Sequence, residues 1–240
     1  MSSIFPAPNL YTSFQPDSQA HFSAHPEFGT LIENFWRYNT GNNAGDLPRL
    51  WSFILNCKQV IADQIPGQFA ELGVWRGNTA AVLAHYAARS GRRVQLFDTF
   101  EGFDEKDIRE FEKKACTPGE FRDTSIELVK EVIGADAAVC DFVKGRFPMS
   151  LMDVHRASTY AIVSLDCDLY EPMIAGLNFF YPRTSNGGIF FLHDYSSLYW
   201  PGSKQAIDEF CKATGEHIVL MPDKSGSAFL RKSISNSITR

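Results

Sequence analysis

Two stretches of the chain join an apolar run to polar groups at fixed spacing. In TYAIVSLDCDLYEP the run ends in Asp166, and Asp168 and Tyr170 follow at spacing two. In NGGIFFLHDYSS the next such run ends in His193, Asp194 and Tyr195. The carboxyl ends of strands are where α/β proteins bind ligands and do chemistry. Neighbouring strand ends would bring Asp166 and Asp194 together, and close carboxylates repel unless a cation or a proton neutralises them. A divalent metal is the economical explanation, with Asp166 and Asp194 as ligands and His193 as a third. Carboxylates and open water positions suit magnesium, whereas imidazole ligation shifts the preference to a transition metal. If His193 does not coordinate, it is free to act as a base, and Asp168 is the other candidate for that role. Taken singly, each Asp reads equally well as a helix N-cap, and His193 as a hydrogen-bonded, half-buried histidine.

An earlier constellation points to a nucleoside. FAELGVWRGNTA runs from a strand through a glycine-bearing turn into a helix. Gly73 and Gly77 let the backbone bend and a ligand approach, and the amides of the new helix, with Thr79 in its first turn, favour electronegative ligand atoms. Glu71 could accept a hydrogen bond from a ligand amino group or sit near a cationic one. Trp75 stands where a dinucleotide fingerprint has its second glycine, which disfavours NAD. In RRVQLFDTFEGF, Asp98 ends a strand roughly 25 residues after Glu71, near the distance at which an acidic residue reaches ribose hydroxyls. Thr99 and Phe100 follow it toward the same ligand. FVKGRF could supply Gly145, Arg146 and Phe147 around an adenine ring, although packing of its phenylalanines in the core is the simpler reading.

These motifs need a frame. After Pro66 and Gly67, short apolar runs alternate with helical segments, the texture of βαβ units and a parallel sheet. Strands are expected near Phe69–Gly73, Val94–Asp98, Ala138–Val143, Tyr160–Asp166 and Gly188–His193. Helices are expected near Thr79–Ser90, Asp123–Ile133, Pro172–Phe180 and Ser203–Thr214. HIVLMPDKSGSAFLRK reads as two strands joined by a Lys224–Gly226 turn, so the last pair should be antiparallel. Upstream, apolar positions from Leu31 to Ile61 recur at helical spacing, broken by GNNAGD at Gly41 to Asp46. The expected organisation is an N-terminal arm and helical cap over residues 1–65, followed by a catalytic domain over 66–240. Specificity should lie in the region up to Asp46 and in the loops Glu101–Phe121 and Ser196–Gly202.

Composition narrows the partners. The 240 residues carry 44% hydrophobic and 21% charged side chains, ordinary for a chain that buries one sizeable core. A formal net charge of -5 argues against sequence-independent affinity for nucleic acid or anionic membrane. The cysteines at 57, 116, 140, 167 and 211 are scattered, with no CxxC, so neither a disulfide framework nor a thiolate zinc site is indicated. No leader and no spanning segment is recognisable, and the expected setting is cytoplasmic. The aromatic-rich arm suggests a homo-oligomer contact.

Taken together, ELGVWRGNTA, FDTFEGF, SLDCDLYEP, FYPR, NGGIFFLHDY and PGSKQAIDEF resemble the macrocin O-methyltransferase family, over about Phe28 to Lys232. The resemblance implies a class I methyltransferase fold: an α/β Rossmann-like sheet, mostly parallel, with a C-terminal antiparallel hairpin and an N-terminal helical extension. It implies S-adenosylmethionine (SAM) as cofactor and a sugar or glycoside hydroxyl as acceptor. It also implies that Asp166 is a magnesium ligand and Asp168 the base. The family's following strand ends in two adjacent acidic ligands; here the first place is His193 and only Asp194 matches. Two competing functions remain at this point. One is a metal-dependent glycosyltransferase using the DxD, which leaves Glu71, Gly73, Gly77 and Asp98 unexplained. The other is a SAM-binding partner protein without catalysis, against which Asp166, Asp168 and Asp194 count.

Overall fold

The computed structural model describes residues 26–233. The arm, and with it the expected oligomer contact, lies almost wholly outside the described residues. Two helices open the described chain: α1 (Pro26–Trp36) and α2 (Leu47–Ala62). Asp46 caps α2 by accepting from the Arg49 amide at 3.3 Å, and Pro48 sits in the first turn, where no amide donor is needed. Alternation then begins: β1 (Gln68–Leu72), α3 (Asn78–Arg89), β2 (Val94–Asp98), α4 (Ile126–Ile133), β3 (Cys140–Lys144), α5 (Asp153–Ala157), β4 (Tyr160–Leu165), α6 (Tyr170–Phe180), β5 (Thr184–Leu192), α7 (Pro201–Thr214), β6 (Val219–Leu220) and β7 (Ala228–Arg231).

The strands form one seven-stranded sheet in the order β3-β2-β1-β4-β5-β7-β6. The first five are parallel, and β7 pairs antiparallel with both β5 and β6. This is the mixed α/β layout of class I methyltransferases. The chain reverses its winding between the adjacent strands β1 and β4, and at such a switch point the connecting loops part and leave a crevice over the strand ends.

Both sheet faces are covered, which is why β4 is buried along its whole length. Phe35, Leu50, Phe53, Ile54 and Val60 of α1 and α2 share one core with Phe69, Leu83, Leu96, Ile162 and Phe191. The Phe53 ring stacks on Phe191 of β5 with centroids 3.9 Å apart. The other face buries Phe97, Phe180, Phe190 and Phe210. Most expected boundaries shift by one to three residues, and two of the shifts have a visible cause. Residues 134–139 form a 3-10 helix, so β3 starts at Cys140 rather than Ala138. Strand β5 starts at Thr184, because a register irregularity against β4 admits SNGG into the strand.

No helix among the described residues is long and apolar enough to cross a membrane. Because α2 shares the core of the sheet, Phe53→Ala should cost about 3–5 kcal/mol of global stability. Urea unfolding should move to a lower midpoint as a single transition; separate unfolding of the cap would show the shared core to be unimportant.

Candidate active site

The strand exits stay tied to one another beyond the last paired residues. The Gly73 amide donates to the Phe97 carbonyl at 2.9 Å, Asp166 to Leu72 at 2.9 Å, His193 to Leu165 at 3.0 Å and Gly145 to Asp98 at 2.9 Å. Side chains leaving these exits are therefore held on rigid backbone. They border a cavity of about 670 Å³, within the range for a small-molecule site.

One wall carries the earlier constellation. Gly73 has φ +85, and a Cβ there would collide with the Asp166 carbonyl, so only glycine fits between the two strand exits. Asp98 organises the turn. Its Oδ2 accepts from the amides of Val74 (2.7 Å) and Trp75 (2.9 Å), and its Oδ1 from that of Phe100 (2.7 Å). Trp75 lines the cavity and ties its indole nitrogen to Asp123 at 2.8 Å. Glu71 is 1% exposed; Ser164 donates to its Oε1 at 3.1 Å, while Oε2 has no partner among the described residues. Burial first and Asp166 second push the Glu71 pKa well above the usual carboxylate range.

The other wall carries the later motifs. Leu165 pairs with Leu192 in the β4–β5 register, which sets Asp166 beside His193. Asp166 Oδ1 lies 2.7 Å from His193 Nδ1, which also contacts Asp194 Oδ2. Asp166, His193 and Asp194 each offer a ligand atom, all within 4.8 Å of one another, a donor set that fits a divalent cation. Burial and the Arg49 guanidinium push the His193 imidazole down, but Asp166 and Asp194 outweigh them and raise it to about 10. Burial would raise Asp166, yet His193 and Arg49 hold it well below the carboxylate range. Asp168 goes the other way: burial, then Asp194 and Asp166, push it well up.

Of the residues singled out by sequence, Glu71, Gly73, Trp75, Thr79, Asp98, Thr99, Gly145, Phe147, Asp166, Asp168, His193 and Asp194 border this one cavity. Gly77, Phe100 and Arg146 do not. Gly77 caps α3 in a left-handed conformation, and a Cβ there would collide with the Val129 side chain. Phe100 is 6% exposed in the core, and Arg146 is turned to Asp107 by an ion pair at 2.5 Å. The hydroxyls of Tyr170 and Tyr195 are likewise turned away, to Glu209 and Asp208. Parts of the expected specificity loops reach the rim, with Phe103, Phe121 and Trp200 in mutual ring contact.

Sequence reasoning missed Arg49, which is 5% exposed and places Nη2 2.5 Å from Asp166 Oδ2. A charged residue on the face of α2 that also carries Leu50, Phe53 and Ile54 was the available signal. It also missed Asp223, and Lys224 to Gly226, read only as a turn, which border the cavity beside the cap loop.

The family model described as Macrocin-O-methyltransferase (TylF) matches residues 46–231. The chain belongs to this family. It is thus a SAM-dependent methyltransferase, which removes the glycosyltransferase reading. Demethyldecarbamoylnovobiocin O-methyltransferase of Streptomyces niveus is 27% identical over 78% of each chain. A tetracenomycin-C 4'-O-methyltransferase of Streptomyces olivaceus is 28% identical over 62% of this chain and 61% of its own, under two thirds of that relative's length. Among solved structures, the O-methyltransferase NovP superposes with a TM-score of 0.65 at 21% identity, over 90% of this chain and 95% of that one, a likeness of fold.

A carboxyl whose folded pKa exceeds its unfolded value holds its proton more tightly in the native state. Native stability then falls as pH rises from the ordinary value near 4.5 through the folded one. Glu71→Gln keeps the shape and removes this charge, so it should stabilise the ligand-free protein at pH 8 by about 1–3 kcal/mol, and by less at pH 5. Thermal unfolding at both pH values checks the sign; a lowered Tm at pH 8 would show the carboxylate to be satisfied.

Proposed function

We propose that the chain transfers the methyl group of SAM to a hydroxyl oxygen of a small, sugar-bearing acceptor. The observation that carries this reading is the meeting of two chemistries in one cavity, the Glu71–Gly73–Asp98 wall and the Asp166–Asp168–His193–Asp194 wall. The relatives act on natural-product acceptors, one of them named for a rhamnosyl tetracenomycin, which supports a glycoside here.

In this reading Glu71 receives the SAM ammonium, whose approach would stabilise its ionised form. Thr79 and the amides behind Gly73 face the methionyl end. Asp98 and Thr99 face the ribose, with Gly145 and Phe147 beside the adenine. The acceptor oxygen attacks the methyl carbon in line from about 3 Å, the carbon–sulfur bond breaks, and neutral S-adenosylhomocysteine (SAH) leaves. The hydroxyl proton passes to Asp168. Burial and like charge make that carboxylate more basic than usual, which suits it as the acceptor of a proton from a weak acid. His193, protonated up to about 10 while no metal is bound, is poorly suited to the same task, so a rate step at pH 6–7 is not expected from it. Magnesium or a transition metal held by Asp166, Asp194 and His193 would lower the pKa of a hydroxyl placed against it.

A screen of glycosides and phenols with labelled SAM tests the activity directly; no transfer to any hydroxyl at saturating SAM would overturn it. Asp168→Asn should lower kcat by about 10²–10⁴-fold while SAH affinity changes little. Equal loss of SAH binding, by calorimetry, would instead place Asp168 in the cofactor site. Nδ1 ligation requires a neutral imidazole, so Mn²⁺ binding at pH 7.5 should release about one proton. Calorimetry in buffers of differing ionisation enthalpy reads this number, and zero would exclude His193 as a ligand.

A further inference from the structure

The first turn of α2 puts a permanent positive charge into the catalytic end of the cavity. Arg49 is almost wholly buried, and its guanidinium is fixed on several sides. Nη1 donates to Asn43 Oδ1 at 3.3 Å, and Nη2 to Thr79 Oγ1 at 3.4 Å and to Asp166 Oδ2 at 2.5 Å. The carbon of the guanidinium lies 6.0 Å from the centre of the Phe35 ring. Asp166 is therefore gripped by both oxygens, Oδ2 by Arg49 and Oδ1 by His193, so rotation of its carboxylate would break one contact or the other. With Oδ2 taken, Oδ1 is the oxygen left to face His193 and Asp194.

The segment that delivers Arg49 is itself clasped. Asp46 Oδ1 caps the helix while its Oδ2 accepts from the Lys224 amide at 3.2 Å, and Lys224 Nζ donates to the Ala44 carbonyl at 2.6 Å. Lys224 belongs to the turn between β6 and β7. The cap loop is thus held between the C-terminal turn and the sheet, and Arg49 sits where that closure meets Asp166.

We infer that Arg49 is a positioning residue, through which the helical cap completes the catalytic end by orienting and charge-balancing Asp166. This rests on the proposed role of Asp166. It assigns the cap a part in the reaction besides covering the acceptor.

The test is a double-mutant cycle of Arg49→Gln with Asp166→Asn, read by kcat, KM for SAM, SAH affinity, Mn²⁺ affinity and thermal unfolding. Partners that orient a metal-binding or catalytic group are worth about 10–100-fold. Arg49→Gln should lower kcat and Mn²⁺ affinity by that factor with SAH affinity within about threefold, and should add almost nothing in the Asp166→Asn background. A general structural role would lower SAH affinity and kcat together and would be additive with Asp166→Asn; either result overturns the inference, as does an unchanged kcat. If Arg49→Gln fails to fold, the same cycle with Arg49→Lys decides, because lysine keeps the charge but not the fork. That variant should lose several-fold in kcat alone, again without further loss in Asp166→Asn. If the wild type binds no Mn²⁺ and keeps full activity after chelation, the metal reading fails on its own, and the kcat cycle still decides Arg49.

Discussion

Like charges converge on the carboxyl edge of this sheet, and the local structure is organised around making that tolerable. Asp98 is satisfied by backbone amides of the turns on either side of it, which need no counter-ion. Asp166 is held by Arg49 and His193. Glu71, with Ser164 on one oxygen and the other unpartnered among the described residues, and Asp168, facing Asp194 and Asp166, carry raised pKa values instead. These outcomes obey one rule: a carboxylate removed from water must be hydrogen-bonded, paired or protonated. Glu71 and Asp168, left incompletely compensated, both border the cavity, where a cationic cofactor and a metal would supply what is missing.

The backbone stores strain at the same edge. Trp75, Asp168 and Asp194 all adopt positive φ, at 43, 59 and 58 degrees, just beyond the ends of β1, β4 and β5. Left-handed backbone at a residue with a Cβ costs about 1–3 kcal/mol and persists only where neighbours enforce it. Glycine would relieve the strain but would remove the indole and the carboxylates that border the cavity. Gly73 is the complementary case, because there the close approach of Asp166 forbids any side chain. At the β1, β4 and β5 exits glycine thus stands where backbone must pass and a strained side chain where a group borders the cavity, whereas Phe100 beyond β2 is left-handed at φ 51 with its ring in the core.

Much of this was legible in the sequence because it depends on local pattern. Val94–Asp98 could be placed to the residue, and DxD and HD at strand ends marked residues that border the cavity, since a parallel strand buried on both faces reads as an apolar run with an abrupt polar stop. What resisted reading depends on long-range packing. Phe100 lies two residues from Asp98, yet its side chain turns inward because its amide is bound to the Asp98 carboxylate. Arg146 beside Gly145 looked available to a ligand until a loop far away in sequence supplied Asp107. Arg49 was invisible for the converse reason, as its partner Asp166 lies 117 positions along the chain.

That separation bears on how the enzyme is built. The strand ends of β1, β2, β4 and β5 supply Glu71, Asp98, Asp166, Asp168 and Asp194, with the His193 imidazole as the cation among them. A second cation, Arg49, arrives from the cap helix, whose capping residue Asp46 also accepts from the Lys224 amide of the C-terminal turn. The sheet's own His193 grips one oxygen of Asp166, and docking of the cap onto the hairpin is coupled to the grip on the other. The same clasp holds Ala44 and Asp46 of the loop whose Gly41, Asn42 and Asn43 border the cavity. The setting of Asp166 thus rides on a helix whose first turn lies 117 positions before it in the chain.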